Sequence, residues 1–146
     1  MLTIKSSAFS NEGPIPSKYT CQGQDINPPL EIEGLPSGTV SLALIMDDPD
    51  APMGTWDHWV LFNIPLTHSI PENSVPKGAM QGKNSWGKNK YGGPCPPSGT
   101  HRYFFKVYAL KQMLPLSLTA TKKDVETALR PLIIAQATLM GTYKKA

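Results

Sequence analysis

GPCPPSGTHRYFFKVYAL, Gly93 to Leu110, joins a rigid loop to a strand, and that junction decides what kind of chain this is. Gly93 and Gly99 open dihedrals closed to other residues, whereas Pro94, Pro96 and Pro97 fix φ and lower the entropy of holding one loop shape. From His101 the run turns aromatic and apolar, as a strand does. A two-residue period sends His101, Tyr103 and Phe105 to one face and Arg102, Phe104 and Lys106 to the other. An imidazole and a phenol therefore leave the strand on the same side, next to a loop built to hold its shape.

Two further segments extend the pattern. Thr39 to Asp47 is apolar on both faces, as a buried central strand is, and runs directly into the acidic turn DPDAP, Asp48 to Pro52. Trp56 to Ile64 is a second strand of the same kind. Leu2 to Phe9 reads as an edge strand, Leu132 to Met140 as a closing strand, Pro65 to Pro76 as a surface connection and Ala79 to Tyr91 as an irregular loop. One helix is expected: Thr121 supplies the N-cap with Asp124 three residues on, Val125, Ala128 and Leu129 form the apolar stripe, and Pro131 stops it. The class is mainly β. With 15 prolines and 12 glycines in 146 residues, short strands on fixed turns are favoured over a helical bundle. No linker or repeat divides residues 1–146, so one domain is expected.

The formal charge of +3 is scattered rather than gathered along a helix, so nucleic acid is not an expected partner. Lys83, Lys88 and Lys90, with Trp86 and Tyr91, read as a solvated glycine-rich loop that also forms one rim of a pocket and draws anions to it. No segment approaches the roughly 20 apolar residues of a membrane span, and MLTIKSSAF has no apolar run after a basic end. A cytoplasmic protein without integral membrane association is the expectation. Of the two cysteines, Cys21 lies in YTCQG and Cys95 in the proline loop. One bridge between them is open to the chain, and closing so long a loop would stabilise by on the order of 4 kcal/mol. In a reducing cytoplasm the expectation is two thiols.

The candidate site is built from strand ends. Asp48 continues the face of Leu42, Leu44 and Met46, where a carboxylate needs a partner. His58, two residues after Trp56 and two before Val60, falls on an apolar strand face. By the same alternation Trp56 and Trp59 point to opposite sides, and Asp57 points with Trp59, away from His58. An acidic oxygen compound, a phosphate monoester head group or small carboxylate, would accept hydrogen bonds from His58, His101, Tyr103 and the Gly93 N–H. Asp48 or Asp50 would fix a histidine tautomer or accept from a ligand ammonium. The competing chemistry is a metal-dependent hydrolase or other enzyme using the His/Asp pocket. There is no HExxH or GxSxG signature, and Ser98 has a turn to account for it, so no metal, cofactor or catalytic residue is expected.

Three motifs in order, FSNEGPIPSKYTCQGQDINPPL, SLALIMDDPDAPMGTWDHWVLFNIP and YGGPCPPSGTHRYFFKVYAL, together with the closing LMGTY, carry a resemblance over nearly the whole chain. The sequence resembles the phosphatidylethanolamine-binding protein family, in its bacterial and archaeal Raf kinase inhibitor-like branch. The resemblance implies a large central antiparallel sheet packed against a smaller one. It also implies an anion or phosphorylethanolamine-type ligand at Asp48, Asp50, Pro52, Trp56, His58, Gly93, His101 and Tyr103. It further implies a cis peptide before Pro52, a more open site than in the eukaryotic relatives, and a homodimer as one assembly. A regulatory role toward a phosphorylated protein, a kinase or a serine protease is implied as well.

Overall fold

A computed structural model describes all of residues 1–146. In chain order the strands are β1 (Thr3–Lys5), β2 (Leu30–Glu33), β3 (Ser41–Asp48), β4 (Trp56–Ile64), β5 (Ser69–Ile70), β6 (Met80–Gln81), β7 (His101–Leu110) and β8 (Ile133–Tyr143), with one α-helix, α1 (Lys122–Leu129). A five-stranded sheet in the order β6-β4-β3-β7-β8 faces a three-stranded sheet in the order β1-β2-β5, and every pairing is antiparallel. The architecture is the mainly β fold expected, a larger sheet against a smaller one with a short helix near the end of the chain. The edge strand at the start is shorter than Leu2 to Phe9, and β5 and β6 form within segments that carry no strand period. Both are two-residue pairings made by neighbouring strands rather than by local sequence.

The middle of the larger sheet is buried on both faces, which is why β3 and β4 are mostly apolar. On one face Leu42, Leu44, Met46, Trp59, Leu61, Tyr103, Phe105 and Val107 pack against Ile4, Leu30, Ile32 and Ile70 of the smaller sheet. On the other, Ala43, Ile45, Val60, Phe62 and Tyr108 pack against Val125 and Leu129 of α1. Thr121 caps the helix as expected. Its side chain accepts from the Asp124 N–H at 3.3 Å, and Asp124 Oδ2 accepts from the Thr121 N–H at 3.0 Å.

A cluster of charges pins this helix to the sheet. Buried Asp47 holds Lys122 at 2.8 Å and Lys106 at 3.1 Å, while Asp57 lies 3.6 Å from Lys122. Burial disfavours the charged Lys122 ammonium, but the contacts with Asp47 outweigh it and raise its pKa.

Strand β4 departs from simple alternation where it matters. Met46 pairs with Trp59 and Asp47 with Asp57, so His58 is an extra residue with no counterpart on β3. This bulge corrects three expectations. Val60 faces α1, whereas His58 faces the smaller sheet; Trp56 and Trp59 share that same side; and Asp57 turns the other way, to Lys122.

The two cysteines are joined. Cys21 and Cys95 form a disulfide with Cα atoms 5.5 Å apart, in place of the two thiols expected. The reason is the course of the N-terminal arm, which lies against the proline loop: the Cys21 N–H donates to the Pro94 carbonyl at 3.1 Å, and the Tyr91 hydroxyl donates to the Tyr19 carbonyl at 2.7 Å.

Candidate functional site

At the ends of β3, β4 and β7 lies a cavity of about 470 Å³. Each strand delivers residues by its own geometry. The alternation of β3 places Asp48 at the rim of its inner face. That of β7 places His101 and Tyr103 side by side, and the β4 bulge turns His58 in beside Trp56. Of the residues expected from sequence, Asp48, Pro52, Trp56, His58, Gly93, His101 and Tyr103 line this cavity.

Asp50 does not. Its carboxylate is held outside the cavity by Arg102, with Oδ1 accepting from Nη2 at 2.8 Å and Oδ2 from Nε and the backbone N–H at 2.9 Å each. Those hydrogen bonds hold the Asp50 pKa down at about 2. The reason lies in the alternation of β7: Arg102 stands on the opposite face from His101 and takes the second acid of the turn with it. No peptide bond is cis, so the bond before Pro52 is trans, in contrast to the expectation from the resemblance.

Gly93 lines the cavity, but its N–H is already committed, donating to Asp25 Oδ1 at 2.8 Å. This corrects the expectation that the amide would meet an anion. Gly93 is required here for close approach: a Cβ would overlap the Tyr19 carbonyl oxygen and the Asp25 carboxylate.

Both imidazoles are oriented through Nδ1. His101 Nδ1 lies 2.7 Å from Asp48 Oδ2, and Asp48 Oδ1 accepts the Asp50 N–H at 2.7 Å. His58 Nδ1 lies 2.7 Å from the Gly92 carbonyl oxygen. Both partners are acceptors, so each Nδ1 carries a hydrogen, and in a neutral ring the lone pair is left at Nε2. Burial lowers the His58 pKa, against the opposing pull of the Gly92 carbonyl and the Asp48 charge, and favours the neutral ring. The expected role of His58 as donor to an anion is therefore reversed: in the neutral ring the free nitrogen is an acceptor.

Two cavity groups are buried without a well-formed hydrogen bond in the protein, Trp56 Nε1 and Tyr103 Oη, although the phenol lies near the Asp48 carboxylate and the Cys95 N–H. Burial and then the Asp48 charge raise the Tyr103 pKa well beyond the usual phenol range, so the hydroxyl stays protonated. Aromatic edges fix the walls. His58 meets Tyr103 edge-on with centroids 5.2 Å apart and Trp86 at 5.1 Å, and Trp86 meets Trp56 at 5.5 Å.

Two lining residues escape sequence reasoning, Asp25 and Asn84, and Cys21 and Cys95 line the cavity as well. Asn84, buried, shapes the lysine loop; Oδ1 accepts from the N–H groups of Trp86 and Lys88, and Nδ2 donates to the Lys90 carbonyl. An asparagine before a glycine-rich turn is a signal for such a knot. Asp25 has no local signal, because its partner Gly93 lies far along the chain. Lys88 and Lys90 line the mouth as expected, whereas Lys83 points to the Gly87 carbonyl at 3.3 Å.

Comparison with known proteins agrees with this fold. A family model described as phosphatidylethanolamine-binding protein matches residues 5–144. The chain is similar to a UPF0098 protein of Methanothermobacter thermautotrophicus, 47% identical with 99% of each chain covered. It is also similar to one of Pyrococcus horikoshii, 48% identical over 96% of this chain and 75% of that one. Among solved structures, a putative phosphatidylethanolamine-binding protein homologue of Chlamydia trachomatis superposes with a TM-score of 0.96 at 41% identity, covering 99% of this chain and 98% of its own. YbcL of E. coli, described as a new member of the mammalian family, gives a TM-score of 0.93 at 31% identity with 99% of each chain covered.

Proposed function

Since the chain belongs to the phosphatidylethanolamine-binding protein family, we propose that its cavity binds a small oxyanion or phosphorylated head group, and that the protein works by binding rather than by catalysis. The observation that carries this is the pair of buried donors without a well-formed hydrogen bond, Trp56 Nε1 and Tyr103 Oη, in one cavity with two oriented imidazoles. Desolvated donors of this kind gain most from an acceptor-rich ligand. Lys88 and Lys90 at the mouth favour an anion's approach. Asp25 and Asp48 temper the field and suit a ligand that also carries an ammonium or hydroxyl donor.

Metal-assisted hydrolysis has less support. No three His, Cys, Asp or Glu side chains are grouped so as to hold a metal ion, and the cavity lining contains no serine or threonine and no free thiol. A regulatory role follows from the same site: a phosphorylated side chain of a protein partner would enter the mouth as a free phosphomonoester does. No helix is long and apolar enough to cross a membrane. The disulfide argues for a setting in which such a bond persists, an oxidising compartment or a disulfide-rich cytoplasm, rather than a reducing one.

The test is calorimetric titration with inorganic phosphate and phosphorylethanolamine, with and without zinc. Saturable binding that zinc leaves unchanged is expected; binding that appears only with zinc would move the reading to a metal enzyme.

A further inference from the structure

We propose that this cavity selects anions that bring a proton of their own, so that it takes protonated phosphate or a phosphomonoester monoanion and discriminates against sulfate. The inference rests on the oxyanion-binding reading and narrows its ligand class.

The argument is an inventory of hydrogens. Trp56 Nε1 is a donor only, and it is buried without a partner. Tyr103 Oη is buried without a well-formed hydrogen bond and donates or accepts. His58 Nδ1 is spent on the Gly92 carbonyl and His101 Nδ1 on Asp48, so each ring has only Nε2 left for a ligand, and no protein atom bonds either one. A neutral Nε2 accepts. A ligand that fits must therefore present lone pairs to Trp56 and a hydrogen to Nε2 of the buried His58.

Sulfate offers acceptors only. Seated here, it sets oxygen lone pairs against the His58 Nε2 lone pair unless the ring takes up a proton. His58 is 3% exposed, and its burial opposes that charge. Inorganic phosphate keeps at least one P–OH near neutrality, and a phosphomonoester keeps one below its second pKa of about 6. Each P–OH donates to Nε2 while the remaining oxygens accept from Trp56 and Tyr103. The same complementarity lets buried sites reject an isostere that lacks one hydrogen, because a polar group is then left unpaired.

The carboxylates near His58 favour its protonated form, which burial opposes, and they also disfavour a second negative charge on the ligand. Asp48 on β3 and Asp25 on the N-terminal arm line the cavity, and Asp47 reaches the ring through space from the opposite face of β3. Lys88 and Lys90 stand at the mouth, and His101 and Tyr103 come from β7. A second full negative charge meets Asp25 and Asp48 at close quarters, so a monoanion is favoured over a dianion on electrostatic grounds as well.

The experiment measures Kd for inorganic phosphate, methyl phosphate and sulfate at constant ionic strength from pH 5.5 to 8, by calorimetry and by the indole N–H signal of Trp56. Phosphate is expected to bind at least about tenfold more tightly than sulfate at pH 6, one buried hydrogen bond's worth. Methyl phosphate is expected to weaken as pH rises past about 6, where it loses its P–OH. His58→Gln, which can turn an amide N–H toward the anion, is expected to bring the two affinities together by improving sulfate. Trp56→Phe is expected to weaken both anions alike. Equal wild-type affinities for phosphate and sulfate would overturn the proton requirement and leave anion binding intact. Binding of neither anion would remove the reading beneath it.

Discussion

His101 Nδ1 and Asp48 Oδ2 stand 2.7 Å apart in side chains only 9% and 4% exposed, so the orientation of the imidazole depends on a carboxylate with little water to replace it. Asp48→Asn preserves the shape and removes the charge. Because that charge faces the bound anion while the Asn oxygen can still accept from Nδ1, phosphate affinity is expected to rise several-fold. Calorimetry checks the affinity, and nitrogen NMR of the His101 ring checks whether Nδ1 loses its hydrogen. An unchanged ring spectrum and Kd would mean that the pair is only a packing contact.

The second acid of the turn governs behaviour in acid rather than binding. Asp50 has a folded-state pKa of about 2 because Arg102 grips it. Its unfolded value is about 3.9. A depressed carboxylate contributes its stability above the unfolded value and loses it as pH falls from about 4 toward 2. With Arg102 half exposed, the pair is worth no more than about 1 kcal/mol. Urea unfolding midpoints between pH 2 and 5 should therefore fall less steeply for Asp50→Asn than for the parent chain, with ligand affinity at pH 7 unaltered.

The disulfide should be the largest single contributor to stability outside the core. Cys21 and Cys95 are separated by 74 positions. Closing a loop of that length removes about 4 kcal/mol of unfolded-chain entropy on the loop-entropy model. A reductant, or the Cys21→Ser/Cys95→Ser double variant, should lower the urea midpoint accordingly. Equal midpoints with and without reductant would show that the bond does not constrain the chain in solution.

Gly93→Ala probes the crossing of the arm and the loop. A methyl there meets the Tyr19 carbonyl, held by the Tyr91 hydroxyl, and the Asp25 carboxylate, held by the Gly93 N–H itself. A loss of about 1–3 kcal/mol is expected from the forced displacement. Differential scanning calorimetry of the variant reads the loss, and a melting point equal to the parent's would show that the loop yields freely.

Much of this molecule is legible one strand at a time. His101, Tyr103 and Asp48 could be placed because β3 and β7 keep their period to the last residue, so alternation carries from the core to the rim. Thr121 and Asp124 announced α1 through a cap that is local in sequence. His58 was located but its surroundings were misread. WDHWVLFNI is apolar on both sides, and an extra residue leaves no trace in a pattern that has no polar face to shift. Asp25, the committed N–H of Gly93 and the choice between thiols and a bridge for Cys21 are hidden for another reason. They meet across about half the chain, through an arm without periodicity, and only tertiary structure brings them together.

The bulge in β4 also separates architecture from chemistry. His58 is supernumerary in the ladder: Asp57 and Trp59 face successive partners on β3 without it. Excising that one position would make the ladder regular at this end, leave every residue from Trp59 onward on its present side, and take away the imidazole. The sheet and the pocket are thus written in different currencies of change. Substitution at neighbouring sites tunes the core, whereas a single codon gained or lost at this point adds or deletes a functional group, so a lineage could acquire or discard the site without rebuilding the fold.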